Sequence, residues 1–135
     1  MGAWGTGNFE NDDALDWVAD LESAEDFSPL QEVLNMITES EGYLESPDCS
    51  NALAAAEVIA AIISQDSTDE RIQEEAYEFI EKHRGNVTDN LKAQAISSIQ
   101  KIIENSELKD LWSETDEIET WLKTQNQLLT RLQIS

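Results

Sequence analysis

No lysine or arginine occurs before Arg71. Residues 1–70 carry 17 Asp and Glu and no base, residues 71–135 carry 12 acids and all 8 bases, and the whole chain has a formal charge of −21. A half of that kind repels nucleic acid and anionic lipid, so direct binding to either is not expected. It attracts basic proteins or imitates a polyanion, and acidity also serves solubility alone. Cysteine is equally scarce. Cys49 stands alone, so no internal disulfide forms and the reducing cytoplasm is the expected compartment. One Cys and one His, His83, do not make a zinc site of the usual kind. No apolar run approaches the length of a membrane span without a charge, and no basic-then-apolar leader is visible at the start.

What is present is helical spacing. The chain has 135 residues, 40% of them hydrophobic, with four tryptophans, five glycines and two prolines. Such a length buries about two-thirds of its unfolded surface, and residues 1–135 read as one domain. Ala14, Trp17, Val18 and Leu21 follow helical spacing behind an N-cap at Asn11 or Asp12. Ser28-Pro29 starts a second helix, with Gln31 completing a capping-box spacing and Leu30, Val33, Leu34 and Ile37 on the apolar face. Ser46-Pro47 starts a third, "NALAAAEVIAAIIS", apolar on almost every side and placed at the centre over about 47–64. Ser67 and Glu70 suggest the next cap, with Ile72, Ala76, Phe79 and Ile80 on its face. His83 and Arg84 suit the last turn of that helix, and Gly85 its stop. Thr88 caps a helix through Ile103, "NSELKDLW" makes a short turn or two, and Thr115 caps a final helix bearing Trp121, Leu128 and Leu132. The expected fold is an all-α single-domain bundle of about five long helices plus a short one, preceded by a glycine-rich loop.

That loop, "GAWGTGNF", reads as a compact segment inserting Trp4 and Phe9 between helices. Asp12 and Asp13 complement the dipole of the helix that follows, and are placed to accept hydrogen bonds from the loop's amides. A phosphate cradle is excluded by the absence of GxxxxGK[ST], and a calcium loop by the absence of the EF-hand order. No cofactor and no metal are expected, and the alternative of a cation held by Asp12, Asp13 and Asp16 is the weaker reading.

"MGAWGTGNFENDDALDW" resembles the opening of an uncharacterised bacterial family of small α-helical proteins, a domain of unknown function, whose members begin MGAWG-x-G-x-F-[DE]-N-D-x-A-x-D-[WF]. The likeness continues at "GYLESPDCSNALAAAEVIAA" and "NSELKDLW", then at a late tryptophan and a leucine-rich end. The hydrophilic middle, "STDERIQEEAYEFIEKHRGN", departs from it. The resemblance implies a helical fold and a bacterial-type origin. It implies no activity and no catalytic residues.

No nucleophilic triad can be assembled. Cys49 falls in the first turn of the central helix, where a small buried residue is expected rather than an activated thiol. Glu74, Glu75, Glu78, Glu104 and Glu107 faintly resemble the EExxE…ExxD set of all-α nucleotide pyrophosphohydrolases, whose carboxylates hold magnesium against a triphosphate. Glutamates three and four apart are more often the wet face of a helix. Binding is the stronger reading. Asp12, Asp13, Asp16 and Asp20 line the first helix, and Glu41 and Glu45 flank Tyr43 in the connection before the central one. Tyr43 is either an interface anchor or a core residue closing that corner. The expectation is a non-enzymatic, monomeric, cytoplasmic protein that takes a basic protein partner through Asp12, Asp13, Asp16, Asp20, Glu41, Tyr43 and Glu45. Its most concrete form is an immunity protein against a nuclease-type bacterial toxin. The alternative is a small interaction domain whose acidity is only for solubility.

Overall fold

The alanine-rich segment forms the longest helix among the described residues, and the other described helices pack around it. The structure is a computed structural model describing residues 5–64 and 73–133. Among the described residues seven α-helices follow one another: α1 (Asp12–Val18), α2 (Ser28–Thr38), α3 (Ser46–Ser64), α4 (Tyr77–Lys82), α5 (Asp89–Glu104), α6 (Glu107–Ser113) and α7 (Ile118–Gln133). Tighter 3-10 turns extend α1 (Ala19–Ser23) and lead into α4 (Glu74–Ala76). No strand occurs among the described residues, and no helix among them is long and apolar enough to cross a membrane.

Thirteen of the nineteen residues of α3 are buried, six of them alanines. Small side chains let neighbouring helix backbones approach from several sides, and each of the other six helices packs on α3. Those neighbours supply many of the largest wholly buried side chains: Leu30, Leu34 and Ile37 of α2, Ile99 and Ile102 of α5, and Trp121 and Leu128 of α7. Each set is spaced at three, four or seven residues, which is why each helix turns one face inward.

Several local signals act as expected. The Asn11 side chain accepts from Ala14 N at 2.8 Å, and Thr88 Oγ1 accepts from Leu91 N at 3.1 Å. Gly85, with φ +76°, takes the left-handed conformation just past α4. Others act differently. Ser28 is the first residue of α2 rather than its cap, because Asp26 Oδ1 accepts its N–H at 3.0 Å. That bond, with one from the Ser28 hydroxyl, holds the Asp26 carboxyl below its usual range. Gln31 makes no capping box; its amide turns to Asn35 and Gln94. Thr115 closes the α6–α7 corner, donating to Trp112 O at 2.8 Å and accepting from Glu117 N at 3.1 Å.

Two of the five helices expected to be long are short: α1 has seven residues and α4 six. The chain beyond α1 carries Asp20, Glu22, Glu25 and Asp26 and no base, an unfavourable charge for a helix C-terminus. The 3-10 turn keeps Leu21 buried while ending the helix there. The capping pair Ser67 and Glu70, Ile72, and the loop's Trp4 lie outside the described residues.

The C-terminal end of α2 is closed from another helix. Lys101 of α5 donates to Ile37 O at 2.9 Å and to Ser40 O at 2.6 Å. An ammonium there bonds orphan carbonyls and meets the negative end of the helix dipole. Lys101→Met is expected to lower unfolding free energy by about 1–2 kcal/mol in urea titration, with the slope of the transition unchanged.

Candidate functional site

The seven residues expected to meet a partner are all exposed. Asp12 and Asp13 occupy the first turn of α1, Asp16 the next, and Asp20 the 3-10 turn beyond. Among the described residues none of the six carboxylates at Asp12, Asp13, Asp16, Asp20, Glu41 and Glu45 belongs to an ion pair. Tyr43 corrects the reading that it closes the core: it is 54% exposed, one of two large apolar side chains so placed among the described residues. Its hydroxyl donates to Asp110 of α6, and that bond pushes the phenol up to about 12. Asn11, at the head of α1, shares a small cavity with Leu108 and Trp112 of α6, while Tyr43 reaches α6 through Asp110.

A second constellation was not anticipated. The loop at Gly5–Phe9 buries Phe9, as expected, and also Asn8. Asn8 Nδ2 donates to Glu57 Oε1 at 3.1 Å and to Gln125 Oε1 at 3.0 Å, and Gln125 Nε2 returns a bond to Asn8 Oδ1 at 2.8 Å. Arg131 donates to Glu57 Oε2 at 2.7 Å. Glu57 is 2% exposed and Gln125 not at all. The cluster therefore joins the N-terminal loop, the middle of α3, and both the middle and the last turn of α7. Above it lies a cleft of about 200 Å³, lined by polar groups that include Glu10, Gln73, Thr124 and Gln127. Each oxygen of Glu57 already accepts from a protein donor, so the carboxylate works as an anchor for Asn8 and Arg131. The sequence signal for it was slight: one acid inside "NALAAAEVIAAIIS".

The carboxylate that meets the glycine loop is Glu10, not Asp12 or Asp13. Its Oε1 accepts from Gly7 N at 3.0 Å. A Cβ at Gly5 or Gly7 would run into that carboxylate, and Glu10 would have to swing out.

The groups considered for catalysis are dispersed or sealed. Glu74, Glu75, Glu78 and Glu104 are exposed on different elements. Glu107 is structural: its Oε1 accepts from Ser46 N at 2.8 Å, capping α3, and its own N–H donates to Leu44 O at 2.9 Å. Among the described residues no three of His, Cys, Asp or Glu gather as metal ligands, at Asp12, Asp13 and Asp16 or elsewhere. Cys49 is fully buried, and burial pushes its thiol up to about 12 against weaker bonds from Ser106 and Leu108 N–H. His83 was expected as a cationic or hydrogen-bonding residue at a helix end. It is buried instead against Phe27 and Phe79, and burial pushes its pKa down.

Two outcomes follow for stability and reactivity. Glu57→Ala leaves Arg131 and Asn8 facing a void and is expected to lower unfolding free energy by about 3 kcal/mol. The double change Glu57→Leu with Arg131→Met is expected to lower it by less than the single one; denaturant titration of both variants checks the order. At about pH 8 Cys49 is expected to stay unmodified by an aromatic disulfide reagent in the folded protein and to react fully in denaturant.

No curated protein and no solved structure matches this chain. Residues 2–124, from the glycine loop into α7, match the profile of a domain of unknown function, DUF4259, and the chain belongs to that family.

Proposed function

We propose that this chain is a non-enzymatic binding protein whose acidic N-terminal half docks a basic protein, most concretely as an immunity protein that covers the cationic site of a nuclease-type toxin. The observation that carries this reading is the exposed, unneutralised acid set Asp12, Asp13, Asp16, Asp20, Glu41 and Glu45 in a stretch of 70 residues without a base.

Two features support it. The bases that could offset this charge are in part turned inward. Lys101 bonds the carbonyls at the end of α2, and Arg131 bonds Glu57. The acidic face thus keeps its field, which speeds encounter with a cationic partner and rejects anionic ones. Tyr43 adds an apolar ring among those acids, held by Asp110 and available as an anchor. The dispersal of Glu74, Glu75, Glu78, Glu104 and Glu107 gives an enzyme reading no comparable support.

Passing lysate of the source cell over the immobilised protein, with elution by a salt gradient, tests this. A basic polypeptide released at near one-to-one stoichiometry is expected. Asp16→Asn with Asp20→Asn is expected to weaken its binding about tenfold and to flatten the salt dependence. Binding unchanged by those substitutions would show that the face is misassigned. Magnesium-dependent release of pyrophosphate from nucleotides, abolished by Glu75→Gln, would overturn the non-enzymatic reading.

A further inference from the structure

The chain's single histidine lies in an aromatic seam where a phenylalanine or leucine would serve packing as well. Phe79 and His83 are one turn apart at the end of α4, and Phe27 faces them from the segment just before α2. The imidazole centroid is 4.4 Å from Phe79 and 4.9 Å from Phe27, and the two phenyl rings meet edge-on at 5.9 Å and 79°. His83 is 8% exposed, and its Nε2 is buried with no hydrogen-bond partner. A neutral ring tolerates that position, because an unprotonated nitrogen lacks only an acceptor's bond. An imidazolium would bury a charged N–H with nothing to receive it, which costs far more.

The charges around it do not offset that cost. Lys82, beside it on α4, opposes protonation, and Asp26, in the segment before α2, favours it less strongly than burial disfavours it. Glu81 and Arg84 pair with each other at 2.8 Å. Glu78 on α4, Glu74 and Glu75 in the turn before it, Asp20 and Glu22 in the 3-10 turn after α1, and Glu25 beside Asp26 are all exposed. The charged residues of α3 are Asp48, near its start, and Glu57, engaged by Asn8 and Arg131.

We propose that His83 is an acid-released clasp: neutral, it locks α4 to the Phe27 corner of the acidic half, and protonation opens that contact. The release is local. α4 has six residues, and among the described residues its main helical neighbours are α3 and the two 3-10 turns. His83 N donates to Phe79 O and Asn86 N to His83 O, so the exit from α4 hangs on the same residue. On the other side, Phe27 directly follows Glu25 and Asp26, so opening rearranges the edge of the acidic surface. The sign is fixed by the unfolded value of about 6.5. The clasp's contribution is complete above that pH and is lost as pH falls below it towards the lower folded value. This inference is independent of the proposed partner.

The unmodified protein supplies the test, since its one histidine gives one imidazole Cε1 signal in NMR. That signal is expected to titrate below 6.5. Amide exchange over Phe79–Asn86, corrected for intrinsic pH dependence, is expected to speed up at least about threefold from pH 7 to pH 5, and His83→Phe is expected to abolish the change. A midpoint at or above 6.5 overturns the proposal whether or not the variant folds. So does the same acid acceleration in His83→Phe or, should that variant not fold, in His83→Leu.

Discussion

Glu57 sits in a stretch of α3, residues 52–63, otherwise built from alanine and branched aliphatics. A carboxylate at that depth costs several kcal/mol unless its oxygens are bonded. Asn8 and Arg131 bond them, and each comes from a distant part of the chain. The N-terminal loop must therefore lie on α3, and the last turns of α7 must reach back to it. Phe9 and Trp121 fill the apolar space beside this arrangement, but they do not specify it; many pairs of apolar surfaces pack equally well. The buried carboxylate accepts only partners with N–H groups at the right place. It sets the order of the elements around the central helix.

The same economy governs the few bases. Eight are present, and three of them are directed at buried or terminal acceptors: Arg131 at Glu57, Lys101 at the carbonyls that end α2, and Lys109 at Glu104 O at the end of α5. α6 fastens the opposite corner with acids. Glu107 caps α3, and Asp110 holds the Tyr43 hydroxyl. Positive charge thus stabilises the interior while negative charge accumulates outside on α1 and the α2–α3 connection. A fold that needs no external base for its own stability can leave such a face open to a cationic partner.

Legibility in the sequence followed the range of the interaction. Asn11, Thr88 and Gly85 were readable because each acts on backbone within a turn of itself. The buried faces of α2, α3 and α5 were readable from spacing. Ser28 misled because Asp26, two residues earlier, is a competing acceptor for the same N–H. His83 misled because its place at a helix end suggested a cationic or hydrogen-bonding role, whereas Phe27, more than fifty residues away, makes that place apolar. Among the expected binding residues, the exposure of the aspartates was legible from the opposite apolar stripe. That of Tyr43 was not, since it depends on where α6 lies.

The sequence by itself determined the all-α class, the central position of the alanine-rich helix, the solvated aspartates of α1 and the burial of Cys49. These rest on periodicity and composition, which act through neighbours three or four residues apart. Only the tertiary structure decided that Asn8, Glu57, Gln125 and Arg131 form one cluster, that Glu107 and Lys101 close the ends of other helices, and that His83 stands between two phenylalanines. Hydrogen bonds and ring contacts are short-ranged in space but not along the chain. Which polar groups satisfy one another is settled only when the helices are packed.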